Sequence, residues 1–107
     1  FVQCFSLTSI PGLETLNGTA FNHMFFACSS LTSVPNLDLS SGRRFSHMFA
    51  ACSSLTSIPP LNTFNGTDFS YMFYHCRALR SKQQVDLSNA TNTTFMYVGT
   101  GFLVERL

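Results

Sequence analysis

Apolar residues recur along the chain with a step of 24 positions. The cysteines show the step most plainly, at Cys4, Cys28, Cys52 and Cys76. Phenylalanine and leucine follow the same step, at Phe1, Phe25, Phe49 and Phe73 and at Leu7, Leu31, Leu55, Leu79 and Leu103. Of the 24 positions in residues 28–51, 13 are identical in residues 52–75, so the step marks an internal repeat. A period of this size predicts stacked units, as in a solenoid or a propeller, in which each unit buries its apolar face against its neighbours.

Each unit divides into a predicted helix and a predicted strand. The helix is indicated by apolar residues with the i, i+3, i+4, i+7 spacing of one helical face, at Phe21, Met24, Phe25 and Cys28. The segment from Leu31 to Val34 is short and ends in a β-branched residue, which predicts a strand of three or four residues laid parallel to its copies. Pro35 follows and cannot donate to a ladder, so we expect the strand to end there.

The loops between units and the end of the chain complete the predicted architecture. Asn17-Gly18 and Asn65-Gly66 are turn signals in which glycine is free to take a positive φ, while the fourth copy has Ala90 instead. The pattern decays over residues 82–107, as terminal units do. We therefore expect one domain over residues 1–107, with a degraded last coil at about 82–107. Because Phe1 falls in the middle of a unit, we interpret the chain as a fragment of a longer array.

Composition limits the classes of partner. The net charge is +1 and only 10% of the residues are charged, which argues against a nucleic-acid surface. No run of about 18 apolar residues is present, so no membrane insertion is predicted. Polarity comes from Ser, Thr and Asn, which fill 32 of the 107 positions. A surface of hydroxyls and amides is suited to an extracellular, cell-surface or virion setting, where it meets glycans or other proteins.

The segment from Met48 to Ile58, with its Met-Phe-x-x-Cys-x-Ser-Leu-Thr-Ser-Ile pattern, resembles the BspA-type leucine-rich repeats of surface proteins. That branch is known as a Mycoplasma-type domain of unknown function. The resemblance covers residues 1 to about 97. It implies an α/β fold, a right-handed β/α solenoid of about four 24-residue coils, with a parallel sheet on one face. It also implies adhesion or recognition at a bacterial surface or on a phage tail, and it supplies no catalytic residues.

Cysteine and histidine each allow two interpretations. One cysteine at the same place in every unit predicts a column of reduced, buried thiols, with staggered disulfides as the alternative. His23 and His47 occupy equivalent positions, yet Tyr71 takes the third place and no carboxylate shares the column. We therefore expect solvent-facing residues on separate helices, and neither a metal site nor a cofactor.

The Asn-x-Thr triplets and the serines raise two further possibilities. The triplets at Asn17, Asn65, Asn89 and Asn92 match the N-glycosylation signal, although the loop repeat itself explains the first three. Asp38, Asp68 and Asp86 lie in predicted loops without a Gly-x-Ser-x-Gly turn or a paired histidine. The sequence therefore predicts that the protein is not an enzyme.

The predicted binding surface is the polar row that flanks the inward-facing residues of the sheet, on its concave side. Its members are Thr8, Ser9, Thr32, Ser33, Thr56, Ser57, Arg80 and Ser81. The expected partner is a protein or glycan receptor on a cell surface. A structural spacer with no ligand is the alternative, since Thr-Ser recurs unchanged in three units and readout usually needs varied side chains. Ice or mineral binding is disfavoured, because only one threonine per coil faces outward.

Overall fold

The 24-residue units are arranged side by side in the computed structural model, which describes residues 18–80 and 85–101. We number them from the position of Gly18: unit 1 is 18–41, unit 2 is 42–65, unit 3 starts at 66 and unit 4 at 90. Isolated parallel bridges link equivalent positions in neighbouring units, Ala20 to Arg44, Arg44 to Asp68, and Asp68 to Asn92. The step of 24 in the sequence is therefore also the step of contact in space.

A run of tight turns follows each of these bridges. We call residues 21–28, 45–52, 69–76 and 93–100 the turn segments. In unit 2, the N–H groups of Met48, Ala50 and Cys52 donate to the carbonyl oxygens three residues earlier, at 3.1–3.2 Å. The same local bonds occur in the turn segments of the other three units. Each turn segment therefore satisfies three of its eight N–H groups within itself.

The intervening N–H groups bond to the next unit. Phe45, His47, Phe49 and Ala51 donate across to unit 3, at 2.7–3.0 Å. Four equivalent bonds join unit 1 to unit 2, and four more join unit 3 to unit 4. Because the alternation is strict, the turn segments leave few backbone groups unpaired at the interfaces between units.

This bonding requires positive φ at residues that rarely adopt it. The third residue of a turn takes a positive φ in the type II geometry, a conformation that costs a residue with a Cβ roughly 1–2 kcal/mol. The non-glycine residues with φ between 54° and 64° are His23, Ala27, His47, Ala51, Tyr71, His75 and Phe95. Gly99, at φ 82°, holds the position that corresponds to Ala27, Ala51 and His75.

The predicted α/β fold, a right-handed β/α solenoid of leucine-rich-repeat type, is wrong. The described residues contain no helix, and their only bridges are isolated ones. The radius of gyration over the Cα atoms is 12.5 Å, close to the roughly 13 Å of a compact chain of this length. The i, i+3, i+4, i+7 spacing predicted a helix wrongly, because the same positions also form two interleaved series with a period of four residues. Consecutive four-residue turns therefore bury the same side chains as one helical face.

The predicted strands are also absent from the described residues. Between the Leu31–Val34 and Leu55–Ile58 segments, the one backbone bond runs from Thr56 N–H to Thr32 O, at 3.4 Å. Pro35 and Pro59 remove the donors that would extend the pairing. Between the described units, the regular bonding thus lies in the segment predicted to be a helix, whereas the two described strand segments share that one backbone bond.

Aromatic columns form the centre of the core. Phe21, Phe45 and Phe69 stack with ring centroids 5.7 and 5.2 Å apart. A second column of Phe25, Phe49, Phe73 and Tyr97 has centroid spacings of 5.5–5.7 Å. Leucine, methionine and cysteine fill the space around them, and the fully buried examples are Cys28, Leu31, Leu39, Met48, Cys52, Leu55, Met72, Cys76 and Leu79. In the described residues the phenylalanine columns and Met48, Met72 and Met96 are thus buried in the core, whereas Phe64 and Phe95 are more than half exposed.

Glycine opens each of the first three units because of packing, and not because of φ. The backbone at Gly18, Gly42 and Gly66 does not take the positive φ expected of them. A Cβ at Gly66 would overlap Cζ of Phe69 and lie 2.8 Å from Cε2 of Phe45. In unit 4 the glycine is replaced by Ala90, and the phenylalanine three residues later by Thr93, which leaves room for the extra carbon.

The single domain over residues 1–107 stays a prediction. Of the predicted degraded coil, residues 82–84 and 102–107 lie outside the described residues, as does Cys4. In the described part of unit 4, Thr100 takes the place of cysteine, and its hydroxyl donates to Tyr97 O at 2.8 Å. Among the described residues, no helix has the length and apolarity needed to cross a membrane.

We predict that Gly66→Ala lowers the free energy of unfolding by about 1–3 kcal/mol, because the added carbon displaces two packed rings. Ala90→Gly is the matched control at the equivalent position of unit 4, and we expect a change within about 0.5 kcal/mol. Urea unfolding followed by circular dichroism measures both. Equal effects at the two positions would contradict the packing explanation.

We also predict opposite effects of two substitutions at equivalent positive-φ positions. Gly99→Ala is expected to cost about 2 kcal/mol or more, because its Cβ would overlap Cδ2 of His75 and lie 3.1 Å from the His75 Cα. Ala51→Gly is expected to stabilise the fold by about 0.5 kcal/mol, since relief of the positive φ exceeds the entropy that glycine adds to the unfolded chain. Thermal unfolding of the two variants checks the signs, and a loss of stability in Ala51→Gly would refute the argument.

Candidate functional site

The described members of the predicted polar row are all at the surface. We call Thr32, Ser33, Thr56, Ser57 and Arg80 the Thr/Ser row; each side chain is exposed. Thr56 joins the row across units, since its Oγ1 is 3.5 Å from Thr32 O. The other predicted members, Thr8, Ser9 and Ser81, lie outside the described residues. The row lies on extended loops without strands. The concave sheet that was predicted to carry the row is therefore absent from the described residues.

A second surface feature was not predicted as a site. His23, His47, Tyr71 and Phe95 hold the same position in successive units, and we call them the aromatic ladder. The rings of His23 and His47 are parallel within 7° with centroids 4.6 Å apart, and those of His47 and Tyr71 are parallel within 8° at the same spacing. Phe95 ends the ladder with its ring at 74° to that of Tyr71, and 53% of its surface is exposed.

Two further rings flank the ladder. Phe26 makes edge contacts with His23 and His47, at centroid distances of 5.4 and 6.2 Å. Tyr74 makes the same kind of contact with Tyr71 at 5.1 Å, and it stacks on His75 at 4.0 Å. All of these flanking side chains are half-buried. The ladder and its flanks therefore form a continuous aromatic surface that carries no formal charge while its histidines are neutral.

The backbone places the ladder at the surface. Its residues have positive φ, and the first three donate their N–H groups to the next unit, as His23 does to Ser46 O at 3.0 Å. Residues 24 apart are thereby held at the spacing of a hydrogen-bonded array, close to that of stacked rings. The expectation that His23 and His47 lie apart on separate helices is wrong. The signal in the sequence was an aromatic or imidazole ring at the same place in four consecutive units.

His47 is the electrostatically constrained member of the ladder. Burial lowers the pKa of its imidazole, and the nearby His23 lowers it further, while Asp68 acts in the opposite direction. Its Nδ1 is buried and has no hydrogen-bond partner. Both features favour the neutral ring.

The carboxylates serve backbone turns. Asp38 accepts bonds from N–H and Oγ of Ser40, at 3.0 and 2.6 Å, and Asp86 does the same with Ser88. These bonds to Ser40 and Ser88 hold the pKa of both carboxyl groups below the usual range. Asp68 accepts from Ser70 in the same way. Within the described ranges, no three His, Cys, Asp or Glu side chains are grouped so that they could hold a metal ion.

The prediction of buried, reduced thiols is confirmed for Cys28, Cys52 and Cys76. The Sγ atoms of Cys52 and Cys76 donate across units to Phe25 O and Phe49 O, at 3.0 and 2.9 Å. Burial raises the pKa of Cys76 to about 12, and that of Cys52 is raised further by burial and by the neighbouring thiols. These groups are inert core residues.

The asparagines of two glycosylation triplets have structural partners. Asn65 Nδ2 donates to Ser40 O at 2.8 Å, and Asn89 Nδ2 donates to Phe64 O at 2.7 Å. The threonines two residues later also bond across units, with Thr67 Oγ1 donating to Arg43 O and Thr91 Oγ1 to Thr67 O, both at 3.2 Å. The loop repeat thus has a structural use for both residues of the triplet.

Comparison with known proteins identifies a family. The protein-family model described as "Mycoplasma protein of unknown function, DUF285" matches residues 1–104 of the chain. No curated protein and no solved structure matches the chain.

We predict that Cys52 and Cys76 resist alkylation by iodoacetamide in the native protein at pH 8. With a pKa of about 12, the thiolate fraction of Cys76 is about a thousandfold below that of an ordinary cysteine, and burial blocks access as well. Peptide mapping by mass spectrometry, with a sample in guanidinium chloride as control, measures the labelling of each residue. Native labelling of either residue as fast as in the denatured control would contradict the buried column.

Proposed function

We propose, on the premise that the chain belongs to the family of Mycoplasma proteins of unknown function DUF285, that this domain is a non-enzymatic adhesion or receptor-recognition module. Its setting would be extracellular, on a cell surface or a virion such as a phage tail. The resemblance of the Met48–Ile58 motif to the BspA-type repeats of surface proteins supports this setting. The low content of charge and the many Ser, Thr and Asn side chains support it too.

The observation that carries the proposal is the exposure of His23 and Phe95, the two ends of the aromatic ladder. Residues in the core columns, such as Phe49 and Phe73, are fully buried and stabilise the fold. Phe95 and Val98, in contrast, leave 53% and 46% of their surfaces in water at the end of the ladder. Exposed aromatic side chains with few charges around them are typical of surfaces that contact other macromolecules.

The chemistry of the surface favours an uncharged partner. Stacking covers both ring faces of His47, so the ladder presents ring edges, the exposed His23 imidazole and the half-buried Tyr71 phenol. These groups donate and accept hydrogen bonds, as do the hydroxyls of the Thr/Ser row. A protein loop or a neutral glycan, each rich in hydroxyl or amide groups, has the complementary chemistry.

A structural spacer is the second candidate function. The observation in its favour is the regular bonding between units, with four backbone bonds from the turn segments, and further bonds beside them, at each of three interfaces. An array of that kind holds its ends at a fixed separation and needs no ligand. The two functions differ in whether an exposed residue can be changed without loss of activity.

We predict that the domain binds a glycan or a host-surface protein, and that the binding depends on one of the two surfaces. The screen uses a glycan array and a panel of host-surface proteins with the unchanged chain. Phe95→Arg tests the aromatic ladder, and Ser33→Arg with Ser57→Arg tests the Thr/Ser row, since each places a charged side chain at an exposed position. We expect one of these variants to reduce binding at least tenfold.

Asn36→Arg is the control, because it adds the same charge at an exposed position outside both surfaces. It is expected to bind as the unchanged chain does. If the chain binds nothing in the screen, or if all variants bind equally, the recognition function fails and the spacer is favoured. Circular dichroism of each variant separates loss of binding from loss of fold.

A further inference from the structure

Two imidazoles are stacked where units 1 and 2 meet. The rings of His23 and His47 are nearly parallel, with their centroids 4.6 Å apart. Backbone bonds from His23 N–H to Ser46 O and from His47 N–H to Ser70 O hold both residues in the array. The two side chains are therefore kept in contact by the fold.

His47 is enclosed on both faces. The His23 ring covers one face and the Tyr71 ring covers the other, at the same centroid distance, while Phe26 approaches the ring edge. Its Nδ1 is buried without an acceptor. A proton added at Nδ1 would place an N–H where nothing receives it, and a buried polar group without a partner destabilises the state that contains it.

The charges that act on His47 come from two neighbouring units. His23 in unit 1 becomes a like charge when it is protonated, and Asp68 in unit 3 is the opposing carboxylate. Asp68 already accepts from N–H and Oγ of Ser70, at 3.0 and 2.8 Å. Asp68 is the smallest of the three influences on the His47 pKa, and burial and His23 together outweigh it.

We propose that the His23–His47 stack is an acid-sensitive contact between units 1 and 2. With both imidazoles neutral, the rings stack and hold the two turn segments together. With both protonated, like charges lie 4.6 Å apart in a site that is half-buried at His47, and their repulsion weakens the contact between the units. The device is built into the fold and does not depend on what the domain binds.

The direction of the pH effect follows from linkage. The pKa of His47 is lowered in the folded protein from its ordinary value of 6.5, so the unfolded chain takes up the proton more readily. The stability of neutral His47 is fully present above about pH 6.5 and is lost as the pH falls through the lowered pKa. Asp38 and Asp86, whose pKa values are lowered from 3.8, act only in more acid solution.

The test measures urea unfolding of the chain at pH 7.5, 6.5, 5.5 and 5.0. Between pH 7.5 and 5.0 we expect the unfolding equilibrium constant to rise about tenfold for each unit by which the pKa of His47 is lowered. The double variant His23→Phe with His47→Phe keeps flat rings in the ladder and should be nearly insensitive over this range.

A second measurement does not depend on the double variant folding. NMR titration of the imidazole signals compares His47 in the unchanged chain and in His23→Phe. We expect His47 to take up its proton at higher pH in His23→Phe, because the like charge is gone. If His47 titrates at the same pH in both proteins, or if the double variant is as acid-sensitive as the unchanged chain, the proposal is overturned.

Discussion

Every second backbone N–H of a turn segment is committed to the neighbouring unit, and the rest of the fold depends on that division. The alternate N–H groups close turns within the unit, so neither set is available for a helix or a continuous strand. The division sets the contact step at 24 residues, aligns the phenylalanine columns and brings the ladder rings to a stacking distance. It also forces positive φ on residues such as Ala51, a conformation that the bonds between units must stabilise.

The register and the core were predictable from the sequence, and the secondary structure was not. Identical residues at steps of 24 indicated which side chains meet, and the buried positions of Cys52, Leu55 and Phe49 agree with that pattern. Helix and turn, however, bury the same apolar positions when the turns have a period of four. The decisive difference is the positive φ at His47 and Ala51. These residue types seldom adopt it, so their conformational propensities did not predict turns at these positions.

The candidate surfaces show the same limit. Exposure of Ser33 and Ser57 follows from polar residues between apolar ones, and it was predictable without knowledge of the backbone. The contact between His23 and His47 was not, because a helix would have held the two rings farther apart than the observed 4.6 Å. The spacing of neighbouring chains, and not the identity of the residues, decides whether a column of rings becomes a stack.

The fit between glycine and phenylalanine at the start of units 1, 2 and 3 constrains which substitutions the two positions can accept. Gly66 lies against the ring of Phe69, whereas unit 4 has Ala90 and Thr93 at the equivalent places. If a unit changes from the glycine–phenylalanine pair to the alanine–threonine pair, the order of the two substitutions matters for stability. The ring must shrink before the backbone gains its methyl group, because the reverse order passes through an overcrowded intermediate. The two positions are therefore expected to evolve as a coupled pair, with the aromatic residue changing first.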